Sequence, residues 1–139
     1  MAERMWEQAV ETYLSINRGI FLNPQYLIGQ PGVWEANPDF LALDFPAKTA
    51  WMVEVTISPT GLYIKISNFE AEYAPRIREQ LAQNHVKPTD GHWEIGLWLF
   101  VPQAWEDRMA ERLRKANIAK PRVTRLEETM FPPWDELFR

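Results

Sequence analysis

The pattern of apolar and polar positions predicts helices and strands in alternation along the chain. Apolar residues recur at helical spacing in three segments, so helices are expected over about 2–16, 68–84 and 104–116. Extended or continuous apolar runs predict strands over 20–22, 26–29, 37–44, 51–57, 62–66, 94–101 and 121–126. Pro75 falls inside the second helical segment, where the helix either kinks or starts afresh. This order predicts an α/β sandwich with a central mixed sheet flanked by helices.

Two acidic residues interrupt the apolar pattern of the two central strands. Asp39 lies at the mouth of the first strand and Glu54 lies in the middle of the second, with a connection short enough for a hairpin. An ionised carboxylate buried without a partner costs several kcal/mol. The sequence therefore predicts a bound cation near these acids. The alternatives are a turn capped by Asp39 and an ion pair of Glu54 with Arg76 or Arg78.

Composition sets outer limits on these interpretations. The chain has 139 residues, 46% of them hydrophobic, so it can bury a core as one domain. It has no cysteine, which excludes disulfides and thiolate metal sites and fits a reducing compartment. No apolar run approaches the roughly 20 residues of a membrane span, and the amino terminus lacks the layout of a secretion signal. A cytoplasmic protein without a membrane partner is expected.

Charge is distributed unevenly along the chain, whose formal net charge is -4. Residues 1–60 hold three basic residues against seven acidic ones, whereas residues 104–125 hold seven basic residues against three acidic ones. An acidic half with the candidate site and a basic segment beyond it suit a metal-dependent enzyme that acts on a polyanion. Solvated helix faces would give the same distribution, and this alternative stays open.

The central acids carry a resemblance to a known family. Pro38-Asp39 is followed fifteen positions after its acid by Glu54-Val55-Thr56, behind a helix and ahead of another helix and strand. This arrangement resembles the PD-(D/E)xK nuclease superfamily, which has the restriction-endonuclease-like fold. The first helix and Gly19-Ile20-Phe21-Leu22 are similar to small Holliday-junction-resolvase-like nucleases. The resemblance covers about 5–101 and implies an αβββαβ core.

The rest of the chain, 102–139, would add a helix, an edge strand and an aromatic tail to a single PD-(D/E)xK-like domain spanning 1–139. The resemblance implies a metal-dependent nuclease that hydrolyses phosphodiester bonds, with DNA as the expected substrate. It also implies a homodimer, the common state of junction-type relatives.

The resemblance implies a Mg²⁺ or Mn²⁺ site held by Asp39, Glu54 and the backbone carbonyl of Val55. Hard oxygen donors are the ligands that these ions prefer. In some relatives an acid on the first helix adds a ligand, and Glu7 matches that position best, with Glu11 as the alternative.

The chain departs from the family at the motif lysine. The family places lysine two residues after its second acid, where this chain has Thr56. Threonine can bind a water molecule or a ligand but brings no positive charge to the transition state. Lys65, or less favourably Lys48, would supply the missing amine from elsewhere. If neither does, the protein is a catalytically degenerate module that binds nucleic acid or a protein partner without cleavage.

Nucleic-acid contacts are expected from two helices. The family often supplies a glutamine or a basic residue from the helix after the second motif, and the basic helix beyond the core offers a second surface. The candidate contacts are Arg76, Arg78, Gln80, Arg108, Arg112 and Lys115.

Overall fold

The computed structural model of the protein describes residues 2–16, 20–24, 26–30, 34–84 and 92–130. The helices in these ranges are α1 (Ala2–Ile16), α2 (Tyr63–Asn68), α3 (Ala74–Gln83), α4 (Glu106–Lys115) and α5 (Leu126–Met130). The strands are β1 (Ile20–Pro24), β2 (Ile28–Gln30), β3 (Trp34–Ala36), β4 (Phe40–Asp44), β5 (Thr49–Val55), β6 (Glu94–Val101) and β7 (Pro121–Arg125). The predicted aromatic tail falls in 131–139, outside the described residues.

The described strands form a five-stranded mixed sheet in the order β1-β4-β5-β6-β7. Strand β4 pairs antiparallel with β1 and with β5, whereas β6 pairs parallel with β5 and with β7. Parallel neighbours need a crossover connection. Helices α2 and α3 make that connection between β5 and β6, and α4 makes it between β6 and β7. The α/β class with a mixed sheet flanked by helices is thereby confirmed, and β2 and β3 form a separate two-stranded ribbon.

Two apolar cores lie on opposite faces of the sheet because side chains alternate along each strand. On one face, α1 packs Val10 and Leu14 against Val53 and Val55 of β5. On the other face, α2, α3 and α4 cover a larger core that includes Met52. Strand β5 is buried along its whole length, as its apolar sequence predicts. Among the described residues, no helix is long and apolar enough to cross a membrane.

The strand predicted over 62–66 is wrong, because this segment is helical. A 3-10 turn (Pro59–Leu62) leads directly into α2. Leu62 and Ile66 are buried four residues apart, which is helical spacing, while Ile64 between them is 74% exposed. The hydroxyl of Ser67 donates to the Tyr63 carbonyl (3.0 Å) within α2.

Pro75 starts a new helix after a widened turn. A π-helical turn (Phe69–Tyr73) follows α2, and α3 begins at Ala74 with Pro75 in its first turn. Proline has no N–H to donate four residues back, and its ring needs room near that carbonyl. The wider turn relieves both constraints, and π turns of this kind are frequent at functional sites.

Candidate functional site

The register of the central hairpin brings Asp39 and Glu54 to the same face of the sheet. Phe40 pairs with Val53 in the antiparallel ladder, so one further step places Asp39 opposite Glu54. Phe40 and Val53 both belong to the core under α1. Because side chains alternate, both acids point to the other face, beneath α2 and α3. Asp39 and Glu54 therefore lie next to each other on the same face of the sheet.

Asp39 is fixed by the backbone of the neighbouring strand. The Val55 amide donates to Oδ2 of Asp39 at 2.7 Å. The β4–β5 ladder ends at Phe40, so the carboxylate serves as acceptor where the backbone pairing has stopped. This contact aims the Asp39 side chain across the end of β5.

Glu54 is a buried carboxyl group in contact with a cation and with another carboxyl group. Its exposed fraction is 4%, and Lys65 Nζ lies 2.8 Å from its Oε1. Burial raises the pKa of Glu54 to about 7, the charge of Lys65 opposes this rise, and Asp39 adds to it through its charge and a side-chain hydrogen bond. The partner of Glu54 is thus Lys65, and not Arg76 or Arg78, which the sequence offered as alternatives.

Lys65 brings a positive charge to the site from a helix. The buried residues Leu62 and Ile66 hold the helical segment against the sheet, which aims Lys65 at Glu54. Burial lowers the pKa of Lys65, but the Glu54 carboxylate, with smaller contributions from Tyr73 and Asp39, raises it above its usual value. The side chain of Lys65 is therefore an ammonium group beside two carboxyl groups. Lys65 is the residue that the sequence offered as a possible source of an amine in place of the motif lysine.

Tyr73 is a site residue that the sequence reasoning missed. Burial raises the pKa of its hydroxyl, Lys65 lowers it, and Glu54 and Glu72 raise it. Tyr73 therefore lies within electrostatic reach of the Lys65–Glu54 pair. It ends the π turn, and Pro75 two residues later is the signal in the sequence that could have indicated an irregular turn here.

Thr56 shapes the chain just beyond β5. Its amide donates to the Phe100 carbonyl (3.1 Å), and its hydroxyl accepts a hydrogen bond from the Ser58 amide (2.9 Å). These contacts start the turn that leads to α2. Thr56 thus helps to form the turn that leads to Lys65, and it brings no positive charge of its own.

Glu7 is not brought together with the central acids. Its helix, α1, packs on the face that carries Val53, whereas Asp39 and Glu54 point to the opposite face. Within the described residues, no group of three or more His, Asp or Glu side chains is arranged to hold a metal ion. The structure therefore leaves a pair of carboxylates, without Glu7 as a third ligand.

The pair of carboxyl groups still fits Mg²⁺ or Mn²⁺. Magnesium keeps several waters and is commonly bound by one or two carboxylates together with substrate phosphates. Asp39 and Glu54 supply hard oxygen donors. Burial and, to a smaller extent, Asp39 raise the pKa of Glu54, and a cation between the two side chains would favour the charged form. The Val55 carbonyl follows Glu54 in the chain, as the resemblance requires of a further ligand.

Gln80 has a structural partner instead of the predicted phosphate contact. Its Nε2 donates to the Leu27 carbonyl (2.7 Å), and its Oε1 accepts from the Gly29 amide (3.0 Å). Both ends of the side-chain amide thus hold the β2 segment against α3. Arg76 is half-buried on the same helix, and Arg78 donates to the Trp93 carbonyl (3.4 Å).

The remaining basic candidates lie away from the paired acids. Arg108, Arg112 and Lys115 of α4 line a groove that Tyr63 of α2 also lines. Tyr63 and Lys65 are two residues apart, about 200° around a helix, so the α4 side chains and Lys65 lie on different sides of α2.

Comparison with known proteins gives no relative for this chain. No protein-family model, no curated protein and no solved structure matches it. The interpretation of the site therefore rests on its own geometry and chemistry.

Proposed function

We propose that this protein is a divalent-cation-dependent nuclease of PD-(D/E)xK type that hydrolyses phosphodiester bonds in DNA. The observation that carries the proposal is the meeting of three charged groups on one face of the sheet. Asp39 and Glu54 come from adjacent strands, and the Lys65 ammonium comes from α2 to within 2.8 Å of Glu54. Two carboxylates can hold a catalytic cation, and an amine can stabilise the negative charge that develops on a phosphate.

Each of the three residues has a distinct role in the proposed reaction. Asp39 and Glu54 would hold Mg²⁺ or Mn²⁺, with the Val55 carbonyl as a further donor. When bound, such a cation would lower the pKa of a water molecule and offset charge on the phosphate. Hydrolysis joins the water oxygen to phosphorus, breaks the bond to the leaving sugar oxygen and transfers a proton to that oxygen. Lys65 donates to a phosphate oxygen and stabilises the negative charge that develops there.

The charge distribution supports a polyanionic substrate. Residues 104–125 hold seven basic residues against three acidic ones, and they lie in the region of α4 and β7. Phosphate contacts from such side chains supply much of the affinity of nucleic-acid binding. The choice of DNA, a homodimeric state and a cytoplasmic location all rest on the sequence and stay predictions.

One observation favours a second candidate, a module that binds nucleic acid without cutting it. Lys65 already pairs with Glu54, which is the carboxylate that a metal would need. If that ion pair persists in the presence of divalent cations, the cluster of Asp39, Glu54 and Lys65 is a structural element.

Incubation of the protein with branched, single-stranded and duplex DNA and with RNA, in Mg²⁺ or Mn²⁺, separates the two candidates. We expect metal-dependent cleavage of DNA by the wild type and its loss in Asp39→Asn, which keeps an oxygen for the Val55 amide. The matched control is Asp44→Asn at the other end of β4, where the side chain accepts from the Ala47 amide. Cleavage that survives Asp39→Asn would contradict the proposal. A wild type that shifts DNA on a gel but never cuts it would favour the binding module.

A further inference from the structure

A groove lies between α2 and α4, and the proposed reaction does not use it. Its volume is about 560 Å³, within the roughly 300–1,000 Å³ typical of ligand sites. Helix α2 contributes Tyr63 and Ser67 to its walls. Helix α4 contributes Arg108, Glu111, Arg112 and Lys115.

The groove is predominantly positive. It is lined by three cationic side chains and one carboxylate, Glu111. Arg114 holds that carboxylate through a hydrogen bond from Nε (3.0 Å). Among the described residues, neither Arg108 nor Arg112 pairs with an acidic side chain. An anion entering the groove would therefore meet two guanidinium groups that no described carboxylate neutralises.

Aromatic rings position both guanidinium groups. The Arg112 guanidinium carbon lies 3.6 Å from the centroid of the Tyr63 ring, and that of Arg108 lies 4.5 Å from the centroid of the Trp105 ring. Stacking uses the flat face of a guanidinium and leaves its in-plane N–H donors for two phosphate oxygens. The two donors are thus held before a ligand arrives, which reduces the entropy lost on binding.

Helix α2 connects the groove to the candidate active site. It presents Tyr63 to the groove and Lys65 to Glu54, on different sides of one short helix. An α-helix with its side chains is about 10–12 Å across. A strand whose phosphate lies at Lys65 would have to pass around α2 over at least that distance to reach Tyr63 in the groove.

We propose that this groove binds the sugar-phosphate backbone of a single DNA strand beside the bond to be cut, with Arg108 and Arg112 as the phosphate contacts. The proposal rests on the proposed nuclease function for the identity of the ligand. It adds a second binding site, distinct from the Asp39–Glu54–Lys65 cluster and separated from it by α2.

Binding of a fluorescein-labelled single-stranded DNA, followed by fluorescence anisotropy in EDTA, tests the groove without cleavage. We expect Arg112→Gln to weaken binding about tenfold, since it removes one charge-assisted phosphate contact. The matched control is Arg4→Gln in α1, an exposed arginine on the opposite side of the sheet, which removes the same charge outside the groove and should change the Kd less than about twofold. The double variant Arg108→Gln/Arg112→Gln should reduce the slope of log K against log salt by about 1.4, or about 0.7 for each contact.

Equal effects of Arg112→Gln and Arg4→Gln would overturn the proposal, because general charge attraction would then explain the binding. Failure of the wild type to bind the strand would overturn it as well. Cleavage in Mg²⁺, measured on the same samples, keeps the two proposals apart. If the two variants weaken binding equally and cleavage is intact, the groove proposal is wrong and the nuclease proposal stands. If only the groove variant weakens binding and no cleavage occurs, the nuclease proposal is wrong and the groove proposal stands.

Discussion

The surroundings of strand β5 differ between the two faces of the central sheet. Toward α1, β5 presents Trp51, Val53 and Val55, and the surrounding core is apolar. Toward α2 and α3, the same strand presents Met52 and then Glu54, which is as deeply buried as its apolar neighbours. From Trp51 to Val55, β5 presents only apolar side chains toward α1, whereas toward α2 and α3 it places a carboxyl group where packing alone would favour an apolar group.

The difference has an energetic meaning. Full burial of a valine stabilises the fold by about 1.5–3 kcal/mol, whereas a buried ion pair often stabilises no more than apolar residues of similar volume. Stability alone would therefore favour an apolar residue in place of Glu54. Departures from the local rules of packing are expected mainly at functional sites, which agrees with the proposed role of Glu54.

Removal of the Lys65 amine should give the largest effect, a loss of DNA cleavage. In Lys65→Met we expect DNA cleavage to fall about 10²–10³-fold, because the transition state loses a hydrogen-bond donor with a full positive charge. The measurement is a single-turnover cleavage rate at saturating Mg²⁺. Lys48→Met is the matched control, since Lys48 lies in the turn at the opposite end of β5 and should leave the rate within about twofold. A Lys65→Met rate equal to that of the control would show that Lys65 is structural.

The second-largest effect should be a pH dependence of stability that arises from Glu54. The pKa of Glu54 rises from 4.5 to about 7 on folding, so between these values the folded protein binds one proton more than the unfolded chain. The contribution of Glu54 to the free energy of unfolding therefore falls as pH rises through this window, by an amount on the order of 3 kcal/mol. Relative to the wild type, Glu54→Gln should become progressively more stable from pH 5 to 8. Urea denaturation without divalent cations measures the difference, and a constant difference would contradict the raised pKa.

In the core under α1, stability should depend on side-chain volume instead of charge. A Cβ on Gly96 would lie 2.5 Å from the indole ring of Trp51, which has little room to move within this core. We expect Gly96→Ala to lower the free energy of unfolding by about 1–3 kcal/mol. Gly61→Ala is the control, because its Cβ would meet nothing within 4 Å. Thermal denaturation checks both variants, and equal melting temperatures would mean that this face is loosely packed.

The smallest effect is expected where α3 holds the β2 segment. Gln80→Ala removes two hydrogen bonds to the Leu27 and Gly29 backbone and should destabilise the protein by about 1–2 kcal/mol. Its affinity for single-stranded DNA in EDTA should not change. Gln83→Ala, an exposed change on the same helix, serves as control for both measurements. A loss of DNA affinity with unchanged stability would restore the phosphate contact that the sequence suggested for Gln80.

The elements with strong and unbroken patterns could be predicted from the sequence. Helix α1 has the expected bounds because its apolar residues keep one helical face, and β6 ends where Pro102 stops it. The segment 62–66 could not be assigned because three apolar residues at alternate positions also contain a pair with helical spacing. Contact with the sheet decides between these two patterns, and a local pattern does not contain that contact.

The candidate site was only partly visible in the sequence. Asp39 and Glu54 stand out as acids within apolar strands, so their importance could be inferred from residue type alone. The role of Tyr73 depends on how the chain rewinds before Pro75, and the exclusion of Glu7 depends on which face α1 covers. Both are properties of the tertiary arrangement.

The most direct test of the account is the position of a bound cation. Crystals of the protein soaked in Mn²⁺ should give an anomalous difference peak between the carboxylates of Asp39 and Glu54, with Lys65 displaced from the Glu54 oxygen that it contacts. The peak should disappear in Asp39→Asn and persist in Asp44→Asn. Mn²⁺ bound elsewhere, with the Lys65–Glu54 pair unchanged, would contradict the central claim that these two acids form a metal site.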